Sequence, residues 1–105
     1  MKESNVQKLV LLAASSVGCV LHRNNVGAYK NVSGHFIRYG VGGVGGSDLI
    51  GWTKDGIFVA IETKPTKGKA TEKQLNFIEQ VKLSGGRAGI ARCADDALKI
   101  IRGEV

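Results

Sequence analysis

The sequence has 105 residues and a mass of 11.1 kDa, a length that predicts one domain over residues 1–105. Hydrophobic residues make up 43% and charged residues 23%, which is ordinary globular usage and excludes a disordered, collagen-like or coiled-coil chain. Fifteen Lys and Arg against nine Asp and Glu give a net charge of +6, which favours a polyanionic partner and nucleic acid first.

No membrane or secretory segment is predicted. The longest apolar run, residues 9–14, is far shorter than the roughly 20 residues that cross a bilayer. No small-residue cleavage site follows a clean apolar stretch near the N-terminus. We therefore expect an intracellular protein that does not contact a membrane.

The N-terminal half begins with a predicted helix over residues 4–16, because apolar residues recur there at helical spacing and Gly18 follows as a stop signal. Short strands are predicted at residues 19–22 and 35–39, and a polar loop starts at Asn24 between them.

A glycine-rich segment occupies residues 40–46. It is not a phosphate-binding loop of the nucleotide-binding type, because Gly46 and Ser47 stand where that motif has Lys followed by Ser or Thr, and a strand follows instead of a helix. We expect a flexible loop that lets the backbone or DNA approach closely.

Two strands follow, at residues 47–53 and 57–64, joined by the turn Lys54-Asp55-Gly56. The second begins with five consecutive apolar residues, so it is predicted to lie at the centre of a sheet covered on both faces. Pro65 ends it, because proline cannot donate to a strand ladder.

The C-terminal part predicts a helix, a strand and a last helix. Thr71 and Gln74 form a capping-box pattern at the start of the first helix, and Gly85 ends it. A strand over residues 88–92 and a helix over 95–101 follow. The predicted buried stripe of the first of these helices consists of Leu75, Ile78 and Val81. The chain passes from the strand at 57–64 through this helix to the strand at 88–92. Such a strand–helix–strand crossover predicts that the two strands are parallel, in a mixed sheet flanked by helices.

Two charged residues interrupt the central strand at its end. Glu62 and Lys64 share one face of it, since side chains alternate along a strand. If the preceding turn has three residues, Asp48 lies opposite Glu62 on that face; a two-residue turn would place it opposite Thr63 instead.

Opposed carboxylates repel each other unless a cation lies between them. Mg²⁺ takes oxygen ligands and is commonly held by one or two carboxylates. With Lys64 beside the acids, such a site can hydrolyse a phosphodiester. The alternative is a surface ion pair between Glu62 and Lys64, with Asp48 unrelated.

Further polar residues are predicted near this place. Glu3 flanks the buried stripe of the first helix and is expected to join the metal site, unless it only complements the helix dipole. The capping box alone would explain Gln74. Exposed lysines cluster nearby and could hold DNA phosphates, although a solvated basic face is the usual explanation; they are Lys67, Lys69 and Lys73.

Four blocks of the sequence, taken in order, resemble the VRR-NUC domain, the virus-type replication-repair nuclease branch of the PD-(D/E)XK superfamily. They are GGSDLIG at 45–51, FVAIETK at 58–64, GKATEKQLNF at 68–77 and GGRAG at 85–89. The resemblance implies the α/β restriction-endonuclease-like fold, a central mixed β-sheet flanked by helices in the order αβββαβα.

The resemblance also implies roles for individual residues. Asp48 and Glu62 match the two metal carboxylates and Lys64 the catalytic lysine, and the family pattern adds three more residues. These are Glu3 as a first-helix metal ligand, Thr63 as a ligand through its main-chain carbonyl, and Gln74 as a catalytic glutamine. Ser47 departs from the proline of the superfamily motif.

A Mg²⁺-dependent endodeoxyribonuclease, with Mn²⁺ able to substitute, is the implied activity. Stand-alone phage members are similar to Holliday-junction resolvases, so the resemblance implies a homodimer that acts on branched DNA in replication, recombination or repair. The expected location is the cytoplasm of a bacterial host, with a phage or prophage origin. The alternative is a non-catalytic nucleic-acid-binding domain that keeps the fold.

Overall fold

The computed structural model describes residues 2–105. Within this range the helices are α1 (Glu3–Ser16), α2 (Glu72–Leu83) and α3 (Ala94–Arg102). The strands are β1 (Val20–Arg23), β2 (Gly27–Lys30), β3 (Phe36–Tyr39), β4 (Leu49–Trp52), β5 (Phe58–Thr63) and β6 (Arg87–Ala91). Across these residues, no helix combines the length and apolarity needed to cross a membrane.

The main sheet has the strand order β1-β4-β5-β6. β4 pairs antiparallel with β1 and β5, whereas β5 and β6 are parallel across the α2 crossover. Together with the helices, these strands follow the chain order αβββαβα, which confirms the predicted fold class and the central position of β5.

β5 is buried on both faces by the helices. Val59 and Ile61 belong to the core formed with α1 and α3, and Ala60 belongs to the second core beneath α2.

The predicted buried stripe of α2 is wrong for Leu75, which is 50% exposed. Leu75 lies one turn before Ile78, where α2 borders an open surface cavity.

β2 and β3 form a separate antiparallel ribbon, which the sequence predicted only in part. Residues 27–30 were predicted to be loop, because their side chains have no buried face to produce an alternating pattern. The turn between β2 and β3 stabilises the ribbon through side-chain hydrogen bonds. The Asn31 side-chain oxygen accepts hydrogen bonds from the backbone N–H groups of Ser33 (3.0 Å) and His35 (2.9 Å), a local bond typical of Asn in turns.

The β4–β5 connection is the three-residue turn. The N–H of Thr53 donates to the carbonyl of Ile57 at 2.8 Å, and the N–H of Gly56 donates to the carbonyl of Thr53 at 2.9 Å. Gly56 has φ +83°, a left-handed conformation that glycine adopts without steric cost. The two-residue alternative is therefore excluded.

Substitution of Gly56 tests this turn. A Cβ at Gly56 would meet no atom within 4 Å, so its cost arises from the backbone alone. We expect Gly56→Ala to lower the free energy of unfolding by about 1–2 kcal/mol, and Gly56→Asn to lower it less, because Asn tolerates the left-handed region. Urea unfolding measures both, and a Gly56→Ala protein as stable as the wild type would contradict the turn.

Candidate metal centre

The register of β4 against β5 brings two carboxylates together. Leu49 pairs with Ile61, so the next position along the ladder sets Asp48 opposite Glu62. Glu3, in the first turn of α1, reaches the same place. One carboxylate oxygen from each of the three acids lies within 4.8 Å of the other two.

Glu62 is the buried member of this cluster, with 1% of its surface exposed. Its Oε2 atom is buried and has no hydrogen-bond partner among the described residues. Burial raises the pKa of Glu62 to about 8, helped by the Asp48 carboxylate and opposed by the Lys64 ammonium. Partial burial and the Asp48 carboxylate also raise the pKa of Glu3. The cluster therefore resists carrying three negative charges.

Asp48 is held in a defined orientation by Thr63. Its Oδ2 atom accepts hydrogen bonds from the backbone N–H of Thr63 at 3.0 Å and from the Thr63 hydroxyl at 2.9 Å. Sequence reasoning considered only the carbonyl of Thr63. A threonine at the buried end of an apolar strand was the available sign that its hydroxyl has a hydrogen-bond partner, which is Asp48.

Asn24 fixes the backbone of Asp48, a role that the sequence did not reveal. Its side chain donates to the carbonyls of Val41 (2.8 Å) and Ser47 (2.9 Å) and accepts from the N–H of Val41 (2.9 Å). Its backbone N–H donates to the carbonyl of Asp48 at 2.8 Å. Asn24 thus ties both ends of the glycine-rich loop to β1, and with them the start of β4.

Arg92 clasps the loop that follows Lys64. The backbone N–H of Lys64 first extends the β5–β6 pairing by donating to the carbonyl of Ala91 at 3.1 Å. The Nη1 atom of Arg92 then donates to three carbonyls of the loop, those of Pro65 (2.6 Å), Thr66 (3.3 Å) and Gly68 (2.7 Å). This loop carries the exposed Lys67 and Lys69.

Gln74 makes the predicted capping box. Its side-chain oxygen accepts from the N–H of Thr71 at 2.9 Å, and the Thr71 hydroxyl accepts from the N–H of Gln74 at 3.2 Å. The cap accounts for the side-chain oxygen of Gln74, and its catalytic role stays a prediction. Lys73 lies in the first turn of α2, with its stem close to Gly45.

The donor set fits a hard divalent cation. Glu3, Asp48 and Glu62 come from three separate elements and offer carboxylate oxygens, which Mg²⁺ and Mn²⁺ prefer. A cation would also satisfy the unpaired Oε2 atom of Glu62 and reverse the repulsion within the cluster.

The fold and the converging carboxylates define an α/β nuclease-type domain. The sequence model of the VRR-NUC domain matches residues 2–95, and the chain therefore belongs to the VRR-NUC family. A solved structure described as a VRR_NUC domain is similar to this chain with a TM-score of 0.65 and 19% identity. The match covers 98% of this chain and 97% of that one, and it shows a shared fold. The chain has no significant match among curated proteins.

The stability of the metal-free protein should fall as pH rises. The ordinary pKa of glutamate is 4.5 and that of Glu62 in the folded protein is about 8, so between these values the native state binds the extra proton and loses this contribution as pH increases. We expect the slope of stability against pH to be smaller in Glu62→Gln than in the wild type, when unfolding by urea is followed from pH 5 to pH 8 in the presence of EDTA.

Glu79→Gln provides the matched control, because Glu79 is an exposed glutamate on α2. It should keep the wild-type slope. Identical slopes for Glu62→Gln and the wild type would show that Glu62 is not protonated in the folded, metal-free protein.

Proposed function

We propose that this chain is a Mg²⁺-dependent endonuclease that hydrolyses DNA phosphodiester bonds. The observation that carries the proposal is the buried carboxylate of Glu62, which has one unpaired oxygen and two further acids beside it. Leaving a buried polar atom unpaired costs about 1–3 kcal/mol. A bound cation removes that cost.

Glu3, Asp48 and Glu62 would hold the ion, and Mn²⁺ would substitute for Mg²⁺. The resemblance adds the main-chain carbonyl of Thr63 as a ligand. When bound, the ion polarises the scissile phosphate and lowers the pKa of an attacking water molecule. Because Thr63 occupies only the Oδ2 atom of Asp48, the other carboxylate oxygen is available for the ion.

Lys64 supplies the positive charge of the site. Its ammonium favours the ionised forms of Glu3 and Glu62, and so it offsets part of the rise in the pKa of both acids. Lys64 therefore acts on the acidic cluster directly. Beside a bound phosphodiester, the same ammonium offsets the negative charge that develops on the phosphate oxygens, or positions the nucleophile. Lys67 and Lys69, on the loop clasped by Arg92, would hold neighbouring phosphates.

We further propose that the substrate is branched DNA and that the active form is a homodimer. The helices and strands of residues 2–105 form the nuclease-type fold and the ribbon, and this unit offers little surface for reading bases, which favours its recognition of DNA shape. Two symmetric cuts need two active sites, and a twofold dimer supplies them. The family resemblance supports both points, and also a role in phage-type replication, recombination or repair inside a bacterial host.

Cleavage assays with isosteric variants test the activity. We expect Glu62→Gln and Lys64→Met each to reduce Mg²⁺-dependent cleavage by at least about 100-fold, as loss of a group that stabilises the transition state does. Labelled four-way junction, fork, flap, hairpin and linear duplex DNA serve as substrates, and circular dichroism checks folding. Glu79→Gln and Lys54→Ala, which change exposed residues outside the cluster, should retain wild-type rates.

Full activity in both Glu62→Gln and Lys64→Met would overturn the assignment. A wild-type protein that binds DNA, binds no Mn²⁺ and cleaves none of these substrates would instead be the non-catalytic binding domain.

A further inference from the structure

The β2–β3 ribbon has two chemically different faces. Tyr29 pairs with Ile37 and Lys30 pairs with Phe36, so alternation assigns their side chains to opposite faces. One face is apolar and carries Tyr29, Ile37 and Tyr39. The other, called the basic face, carries Ala28, Lys30, Phe36 and Arg38. On the basic face the Lys30 ammonium lies 6.0 Å from the centre of the Phe36 ring, and Phe36 is 73% exposed.

An open groove of about 480 Å³ separates this basic face from the start of α2. Its lining comes from the ribbon, the glycine-rich loop and α2, and consists of Ala28, Phe36, Arg38, Gly42, Gly43, Val44 and Lys73. None of these seven lining residues is acidic, whereas Arg38 and Lys73 contribute positive charge from two separate elements. The groove therefore favours an anionic occupant.

The floor of the groove is open backbone at Gly43, whereas the neighbouring Gly42 lies against the ring of Phe77. Gly43 has φ +55°, and a Cβ placed there would meet only the Cδ atom of Arg38, at 3.9 Å. A strand of DNA can therefore approach the backbone closely at Gly43. On the α2 side the stem of Lys73 packs against Gly45, which keeps the lysine at the groove.

The glycine-rich loop joins the groove to the acidic cluster. The floor of the groove continues through Ser47 to Asp48, and Asn24 holds the loop at Val41 and Ser47. A nucleic-acid strand bound in the groove would thus lie at a fixed position relative to the carboxylates.

We propose that this groove binds the sugar–phosphate backbone of the DNA substrate away from the scissile bond, with Arg38 and Lys73 each contacting a phosphate across the glycine floor. The proposal rests on the proposed function, since it extends the same substrate over a second part of the surface. It makes Arg38 and the ribbon part of the DNA-binding surface, in addition to Lys67 and Lys69 on the loop after Lys64.

The salt dependence of DNA binding tests the groove. A fluorescein-labelled four-way junction and a duplex are titrated in EDTA, which prevents cleavage, at several NaCl concentrations. The slope of log K against log[NaCl] should flatten by about 0.9 for each lost phosphate contact, and hence by about 1.8 in the double variant Arg38→Ala/Lys73→Ala. Lys54→Ala is the matched control, because Lys54 lies in the β4–β5 turn at the far end of these strands. It should leave the slope unchanged.

Arg38→Lys separates charge from folding of the ribbon, and it should keep the wild-type slope. Wild-type affinity and slope in the double variant would overturn the proposal, as would a wild-type protein that binds neither DNA. Cleavage is measured in parallel with Mg²⁺. Flattened slopes without any cleavage would support the groove and contradict the nuclease, whereas cleavage with unchanged slopes would contradict the groove alone.

Discussion

The register of β4 against β5 is the constraint on which the site depends. The left-handed Gly56 closes a three-residue turn, and the buried pair Leu49 and Ile61 fixes the side on which each residue lies. A slip of one residue would move Asp48 to the opposite face from Glu62. The apolar core thus holds two carboxyl groups in opposition, and ionisation of both without a cation would destabilise the sheet.

Most polar groups around this opposed pair are satisfied, although the Ser47 hydroxyl, next to Asp48, is buried without a hydrogen-bond partner among the described residues. Thr63 saturates one oxygen of Asp48, Asn24 uses both ends of its amide, and Arg92 fixes the loop after Lys64. The Oε2 atom of Glu62 is likewise buried and has no hydrogen-bond partner among the described residues. A cation bound between the Asp48 and Glu62 carboxyl groups would remove the repulsion between them. Hydrogen bonds such as those of Thr63, Asn24 and Arg92 keep metal ligands in position.

Much of the main sheet could be predicted because strong local signals agree: an apolar run for β5, a capping box for α2 and a glycine turn between β4 and β5. Strand alternation predicted the opposition of Asp48 and Glu62 only for a three-residue turn, and the structure has that turn. The roles of Asn24 and Arg92 could not be predicted, because they bind backbone carbonyls, and every residue carries one. Strand β2 was missed for a different reason, since a strand without a buried face leaves no hydrophobic period.

The number of protons released when the metal binds tests whether the cation ionises the buried carboxyl group of Glu62. Burial raises the pKa of Glu62 to about 8, so Mn²⁺ binding at pH 7 should displace about one proton or more. Calorimetric titrations in two buffers of different ionisation enthalpy give this number for the wild type and for Glu62→Gln. We expect the variant to bind Mn²⁺ more weakly and to release fewer protons. A wild-type protein that binds no Mn²⁺ would contradict the metal centre, and one that binds it without releasing a proton would contradict the raised pKa of Glu62.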